Sequence, residues 1–441
     1  MKLVKRHLSS FQIIIIGFAL VILLGAFILM LPVCSKDCVF TSFGDAIFTA
    51  TSAVCVTGLV VKDTATYWSD FGQFVILCLI QIGGLGIITA VASFSMLSGK
   101  KIGLMQRSTM QNAISAHKLG GIVRLTGFIL KTTFIIELLG ALAMMPQFIK
   151  DFGARGIWMA FFHSVSAFCN AGFDLMGVKG AFSSLTSYTD NILINSVIMV
   201  LITVGGIGFL VWDDIKAHKL RFKGYSAQTK LVIVTSFFLI ILPALYYFFF
   251  EYFDYGFKKR VLSSLFQSVT HRTAGFNTED LSKMSPVGKL ISIFLMLTGG
   301  SPGSTAGGLK TTTLALVLIS AFSVFKKKEN AECFGRRIDD VNIKNASAVF
   351  IMYLVLFVAA SCIIYQIEEF KFSECLFEVA SAIGTVGLTY GITTKLGGIS
   401  RIIIMFLMFF GRVGGLTIIY AAFSPRNQNI SKKPVENITV G

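Results

Sequence analysis

The sequence predicts an all-α integral membrane protein. It reads as four pseudo-repeats of transmembrane helix, pore helix, filter loop and transmembrane helix, giving eight spans and four re-entrant pore helices around one central pore. Three observations predict this: long uncharged apolar runs, a short semi-polar segment between the members of each pair of runs, and a glycine string that closes each short segment at nearly even intervals.

The apolar runs come first. The 441-residue chain is 54% hydrophobic and only 14% charged, against about 25% charged in ordinary soluble chains. Residues 8–35, 71–99, 191–212 and 346–367 carry no charge, and each is long enough to cross a hydrocarbon core that needs about 20 helical residues. The run from Phe11 to Val33 exceeds a signal-peptide core and lacks a small-residue cleavage site, so it reads as the first span. Apolar spans begin near 11, 71, 125, 190, 231, 290, 346 and 402.

Between successive odd and even spans lie residues 43–54, 156–168, 260–270 and 374–383. They are too short to span and suit helices that enter and leave on one side. The strings that follow are Val56-Thr57-Gly58-Leu59, Asn170-Ala171-Gly172-Phe173, Thr273-Ala274-Gly275-Phe276 and Thr385-Val386-Gly387-Leu388. The glycines lie 114, 103 and 112 residues apart, and Ser52, Ser166 and Ser381 each precede theirs by six. Such a period marks an internal repeat. The repeats are expected at 8–99, 122–214, 228–325 and 344–425, with a cytoplasmic tail at 426–441.

Charge fixes the expected orientation. Segments 1–10, 100–124, 213–230, 326–345 and 425–441 hold 22 Lys/Arg and 7 Asp/Glu; the opposite side (33–70, 148–190, 251–289, 368–401) holds 14 and 15. The positive-inside rule places both termini in the cytoplasm and the four glycine loops outside. This asymmetry accounts for most of the +16 net charge without a nucleic-acid partner. The eight cysteines form no C-x-x-C pair and the five histidines show no ligand spacing, so neither a metal centre nor a catalytic constellation is expected. Cys34 and Cys38 read as free thiols.

A dehydrated cation needs oxygen ligands, and rings of backbone carbonyls supply them in potassium filters. Glycine reaches the required positive φ at low cost. Irregular backbone at membrane depth is tolerated only where it is buried in protein or lines a water-filled cavity. The expected K+-binding residues are Cys55, Val56, Thr57, Gly58, Cys169, Asn170, Ala171, Gly172, Arg272, Thr273, Ala274, Gly275, Gly384, Thr385, Val386 and Gly387. Short helices pointing their negative ends at the centre favour a cation there.

With these four strings the whole chain resembles Trk/Ktr/HKT-type cation transporters, and specifically the Ktr-type membrane subunit, over residues 8–425. Trk-type chains usually carry two further N-terminal spans. The resemblance implies a preference for potassium when every repeat carries the glycine, as here; plant relatives that pass mainly sodium can carry serine where this chain has Gly58. It also implies a homodimer, a cytosolic nucleotide-binding regulatory ring of RCK type, possible activation by Na+, and a bacterial cytoplasmic membrane. Beyond membrane lipid, transported K+ and the Na+ activator, no cofactor is expected in the chain.

The second span of repeat three is broken by Gly299–Thr313, which carries Gly299, Gly300, Gly303, Gly307, Gly308 and Lys310. Glycine and proline cannot hold a helix there, so the segment is expected to lie beneath the filter as a gate; the resemblance implies the same. Gly303 to Thr311 also approximates a phosphate loop, but with one residue extra and no preceding strand. Arg412 interrupts the last span, and intramembrane cations usually face an interior with a partner. It is expected to bind gate-loop carbonyls or to stand as a positive barrier. Arg272 is expected to point behind its loop toward Glu279 or Asp280, while Glu137 and Lys131 are spaced poorly for a helical pair. Asp174 is placed to add negative potential at the mouth, or to be a solvated loop residue. The expected function is channel-like K+ uptake; the alternative is a symporter coupled to Na+ or H+, whose coupling carboxylate could only be Glu137.

Overall fold

A computed structural model describes residues 9–97, 103–114, 121–219, 221–422 and 436. Repeat one comprises α1 (Ser10–Leu29), α2 (Phe43–Val54), α3 (Asp70–Leu85) and α4 (Ile87–Leu97), followed by a short helix, α5 (Leu104–Ile114). Repeat two comprises α6 (Ile122–Phe152), α7 (Arg155–Phe168), α8 (Ile192–Ile207) and α9 (Phe209–His218). Repeat three comprises α10 (Ala227–Tyr246), α11 (Phe257–Thr270), α12 (Pro286–Leu297) and α13 (Thr311–Phe325). A two-stranded hairpin of β1 (Glu332–Cys333) and β2 (Arg336–Arg337) leads into repeat four: α14 (Asp340–Ile367), α15 (Phe372–Gly384), α16 (Gly398–Val413) and α17 (Gly415–Ala422). The expected tail lies outside the described residues except for Glu436.

Local sequence starts these helices where it should. Ser9, Ser42, Ser69, Asn191, Ser226, Ser285 and Asp339 each accept a backbone N–H from the first turn that follows, which satisfies donors the helix cannot. Among the described residues, α1, α6, α10 with its π-turn to Glu251, and α14 are long and apolar enough to cross a membrane. Their outer faces expose Leu24, Leu139, Leu242 and Ile351, as lipid contact requires.

The pore helices α2, α7, α11 and α15 lie inside this shell. Phe48, Phe162, Phe266 and Phe377, one from each, are fully buried. Gly83 of α3, Gly205 of α8 and Gly411 of α16 press against the carbonyls of Val54, Phe168 and Ile383, where a Cβ would collide with the oxygen. Each of these carbonyls stands four residues before its loop glycine. Only a residue without a side chain lets the second helix of a repeat approach its pore helix so closely.

One expectation is corrected. The sequence placed an interruption only in the third repeat, yet every second span breaks. Helices α3, α8 and α16 stop at Gly86 (φ 84°), Gly208 (φ 106°) and Gly414 (φ 87°). The pairs α8/α9 and α16/α17 bend by 93° and 92° there. With ψ of 134°, 142° and 137° these residues leave the helical region altogether, in a conformation that glycine reaches readily. In repeat three the break widens to Thr298–Lys310, and α13 resumes at Thr311 rather than Leu314, because threonines are tolerated in a first turn that needs few intrahelical bonds.

Candidate functional site

Each pore helix ends in a loop with the same backbone signature. The residue two before the glycine and the glycine itself both take positive φ: Val56 and Gly58 (56°, 91°), Asn170 and Gly172 (58°, 69°), Thr273 and Gly275 (64°, 81°), Thr385 and Gly387 (52°, 92°). For β-branched Val56, Thr273 and Thr385 this conformation is an outlier that costs of order 1–3 kcal/mol each. Hydroxyls at the ends of the pore helices latch the loops. Ser52 and Ser381 accept the N–H of Gly58 and Gly387 at 3.1 and 3.0 Å. Ser166 and Thr270 donate to the carbonyls of Phe173 and Phe276 at 2.7 and 2.6 Å. In repeat three Val269 stands six residues before the glycine, and Thr270, five before it, does what serine does elsewhere.

The four loops close into a ring. A Cβ on Gly58 would stand 2.5 Å from the carbonyl oxygen of Ala171, and one on Gly172 would stand 2.8 Å from that of Ala274. One on Gly275 would meet the oxygen of Val386, and one on Gly387 that of Thr57. Each glycine therefore leans on the carbonyl before the next repeat's glycine, in the order one, two, three, four, one. Above the ring lies a recess of about 100 Å³ bordered by all four glycines with Asp63 and Asp174. Asp63 accepts the N–H groups of Ala65, Thr66 and Phe182 at 2.8–3.0 Å. Burial, with a smaller contribution from neighbouring Asp63, pushes the Asp174 carboxyl up to about 6, since desolvation disfavours the charged form.

Below the ring the loop Thr298–Lys310 is strapped to the other repeats. Ser301 and Thr305 donate N–H to the carbonyls of Gly206 (2.9 Å) and Gly205 (3.2 Å), and Gly308 to that of Gly411 (3.1 Å). Thr305 Oγ1 donates to Phe168 O at 3.0 Å. Gly307 fits directly beneath the Thr385 side chain. Gly299 is held by the Leu309 carbonyl (2.7 Å), the Gly300 carbonyl receives Thr311 N–H (3.0 Å), and the Gly303 carbonyl receives Phe209 N–H (2.7 Å). Lys310 Nζ donates to the carbonyls of Ala306 (2.8 Å) and Gly307 (3.4 Å) in its own loop. The Arg412 guanidinium donates to Thr305 O in the loop, and to Gly83 O and, at 2.9 Å, Gly84 O at the end of α3. A second cavity of about 130 Å³ opens beneath, against Lys310 and Arg412.

The expected partner of Arg272 needs correction. Arg272 does turn behind its loop, but it donates to Ser236 Oγ on α10 at 3.2 Å. Glu279 instead receives Tyr255 (3.0 Å) and Ser263 (2.7 Å), and Asp280 pairs with Ser282 and Lys283. The Ser263 hydroxyl occupies Glu279 first, and Asp280 is drawn into its own turn. Glu137 does not meet Lys131, which is exposed; it is buried against Gln81 and Cys169. Cys34 and Cys38 are free. The packing glycines Gly83, Gly84, Gly205, Gly206 and Gly411 were not anticipated. The signal was present: Gly83-Gly84-Leu85-Gly86 and Gly205-Gly206-Ile207-Gly208 repeat one pattern in corresponding spans, and Gly411-Arg412-Val413-Gly414 keeps its first and last glycine.

Four helix–loop–helix units whose glycines close a ring, each against the next repeat's carbonyl, define a polytopic membrane protein with a central ring. Residues 5–226 and 215–432 match the TrkH family, described as cation transport protein. The chain is 40% identical over 453 residues to the potassium/sodium uptake protein NtpJ of Enterococcus hirae, covering all of this chain and 99% of the relative. It is 37% identical over 426 residues to Ktr system potassium uptake protein B of Bacillus subtilis, covering 95% and 94%. The crystal structure of the potassium transporter TrkH from Vibrio parahaemolyticus superposes with a TM-score of 0.74 at 18% identity, covering 96% of this chain and 87% of that one. The chain belongs to the TrkH family of cation transport proteins.

Proposed function

We propose that the protein conducts potassium into a bacterial cell across the cytoplasmic membrane, with both termini in the cytoplasm and the glycine ring facing outward. The closed ring of Gly58, Gly172, Gly275 and Gly387, each against the next repeat's carbonyl, carries this reading. Those carbonyls and the others of Cys55–Gly58, Cys169–Gly172, Arg272–Gly275 and Gly384–Gly387 replace the water of a K+ ion. The loop Thr298–Lys310 with Lys310 and Arg412 is the gate. A homodimer seated on a cytosolic nucleotide-binding ring moves that gate, and Na+ acts as activator. Potassium is the named cargo of the relatives, and the charge bias of the sequence supports the orientation.

A symporter coupled to Na+ or H+ fits less well. Its coupling carboxylate would have to be Glu137, which borders neither the recess nor the lower cavity. The test is rescue of a potassium-uptake-deficient bacterium at low external potassium. Wild type should restore growth, and Gly58→Ser should restore it with lost discrimination against sodium. Selectivity unchanged by Gly58→Ser would remove the ring from the filter.

A further inference from the structure

Behind the repeat-two loop lies a buried polar cluster of Glu137, Gln81 and Cys169, none of which borders the recess or the lower cavity. Glu137 stands midway along α6, 4% exposed. Its Oε2 accepts Nε2–H of Gln81 on α3 at 3.2 Å. Its Oε1 lies 3.9 Å from the Cys169 thiol, which is itself 3.7 Å from Gln81 Oε1. The main-chain carbonyl of Glu137 receives Ser164 Oγ of α7 at 2.6 Å. On its far side the thiol rests on Gly84, where a Cβ would come 2.5 Å from Sγ. Cys169 caps α7 and begins the loop that ends at Gly172. The thiol is thus wedged between α3 and α6, and its position sets where the loop starts.

The cluster offers Glu137 no cationic partner among the described residues. Lys131 is on an exposed face of α6. Arg412 of α16 directs its donors to Thr305, Gly83 and Gly84. We propose that Glu137, through its bond from Gln81 and its contact with the Cys169 thiol, is a positioning residue that fixes the Cys169 end of the repeat-two loop, and with it the Ala171 carbonyl and Gly172 in the ring.

This inference rests on the ring being the selectivity filter. The experiment therefore measures K+-over-Na+ flux ratios of the full-length protein in vesicles for wild type, Glu137→Gln, Glu137→Leu, Gln81→Leu and, as a reference for the ring itself, Gly172→Ser. Glutamine keeps the size and the hydrogen bond, so Glu137→Gln should hold the wild-type ratio. Either leucine variant removes the bond and should lower the ratio about tenfold, the equivalent of about 1.4 kcal/mol. A role in stability alone would lower the amount of assembled protein and leave the ratio of what assembles unchanged. A leucine variant that assembles and keeps the wild-type ratio while Gly172→Ser loses it overturns the inference alone. Loss of the ratio in Glu137→Gln, which keeps the bond, overturns the assignment to the Gln81 bond. An unchanged ratio in Gly172→Ser overturns the filter reading itself. Should Glu137→Leu fail to assemble, Gln81→Leu decides by the same criterion.

Discussion

Arg412→Ala tests the gate most directly. The side chain makes charge-assisted bonds to Thr305 O in the loop and to Gly83 O and Gly84 O of α3. Only the first ties the loop itself; the other two hold the guanidinium in place. The loop keeps its N–H bonds to Gly205, Gly206 and Gly411 when the arginine is gone. The loss is therefore of one bond to a charged donor, about 1.5–3 kcal/mol, and each 1.4 kcal/mol shifts the displaced fraction of the loop about tenfold. Removing a fixed positive charge beneath the ring acts in the same direction, because it lowers the Coulombic barrier to an approaching cation. K+ flux into vesicles, normalised to reconstituted protein, should rise about tenfold or more. Arg412→Lys keeps the charge but replaces a planar fork by a point donor, and its flux should fall between the two. Arg412→Ala protein that reconstitutes normally and carries K+ at the wild-type rate would refute both the strap and the barrier.

Gly387→Ala should rescue growth at low potassium only with lost discrimination against sodium, as Gly58→Ser should, because φ is +92° and its Cβ would strike Thr57 O and approach Gly58 Cα to 2.9 Å; the left-handed backbone alone costs about 1–2 kcal/mol. Gly44→Ala in α2 meets nothing within 4 Å and should grow as wild type, with immunoblots checking abundance of both. Asp174 titrates near pH 6 and is protonated as pH falls through that value, so the recess loses a negative charge. Wild-type initial uptake should decline from pH 7 to pH 5, and Asp174→Asn should be flat over that window; an Asn variant with the wild-type slope would reject the assignment. Thr305→Val keeps the shape but leaves Phe168 O without its 3.0 Å donor. At about 1 kcal/mol for a neutral hydrogen bond it should raise flux several-fold, less than Arg412→Ala, in the same vesicle assay.

The fold was legible in the sequence wherever one residue type answers one physical demand. Residues 43–54 read as a short helix and form one over the same span, because a semi-polar segment of that length can neither cross the membrane nor lie as loop inside it. The four glycines stood out because only positive φ explains them in register. What stayed hidden were contacts set by tertiary neighbours. Nothing local tells that Arg272 reaches Ser236, 36 residues upstream, or that Glu137 meets Gln81, 56 residues upstream. The breaks at Gly86, Gly208 and Gly414 were missed for another reason. A single glycine in an apolar run usually costs a helix only about 1 kcal/mol, and these three stop theirs through a positive φ that composition does not announce. The third repeat drew attention because its break spans Thr298–Lys310, where composition alone forbids a helix.

The ring also explains why strained residues persist at its rim. Val56, Thr273 and Thr385 sit in a backbone conformation that each would leave in isolation. They stay because each loop is fixed from two directions: from below by the pore-helix hydroxyl that latches it, and from the side by the neighbouring repeat's glycine. No loop can relax without opening the carbonyl contact it makes and the one it receives. The arrangement is thus collective, and the cost of one strained residue is carried by lateral packing around the whole circle. The gate proposed at Thr298–Lys310 would engage such a ring through part of its circle. Gly307 beneath Thr385 and Thr305 beneath Phe168 reach repeats four and two, and those flank the third repeat that supplies the loop. The lengthened break in one repeat therefore gives a fourfold ring a one-sided handle, which three shorter breaks at single glycines could not provide.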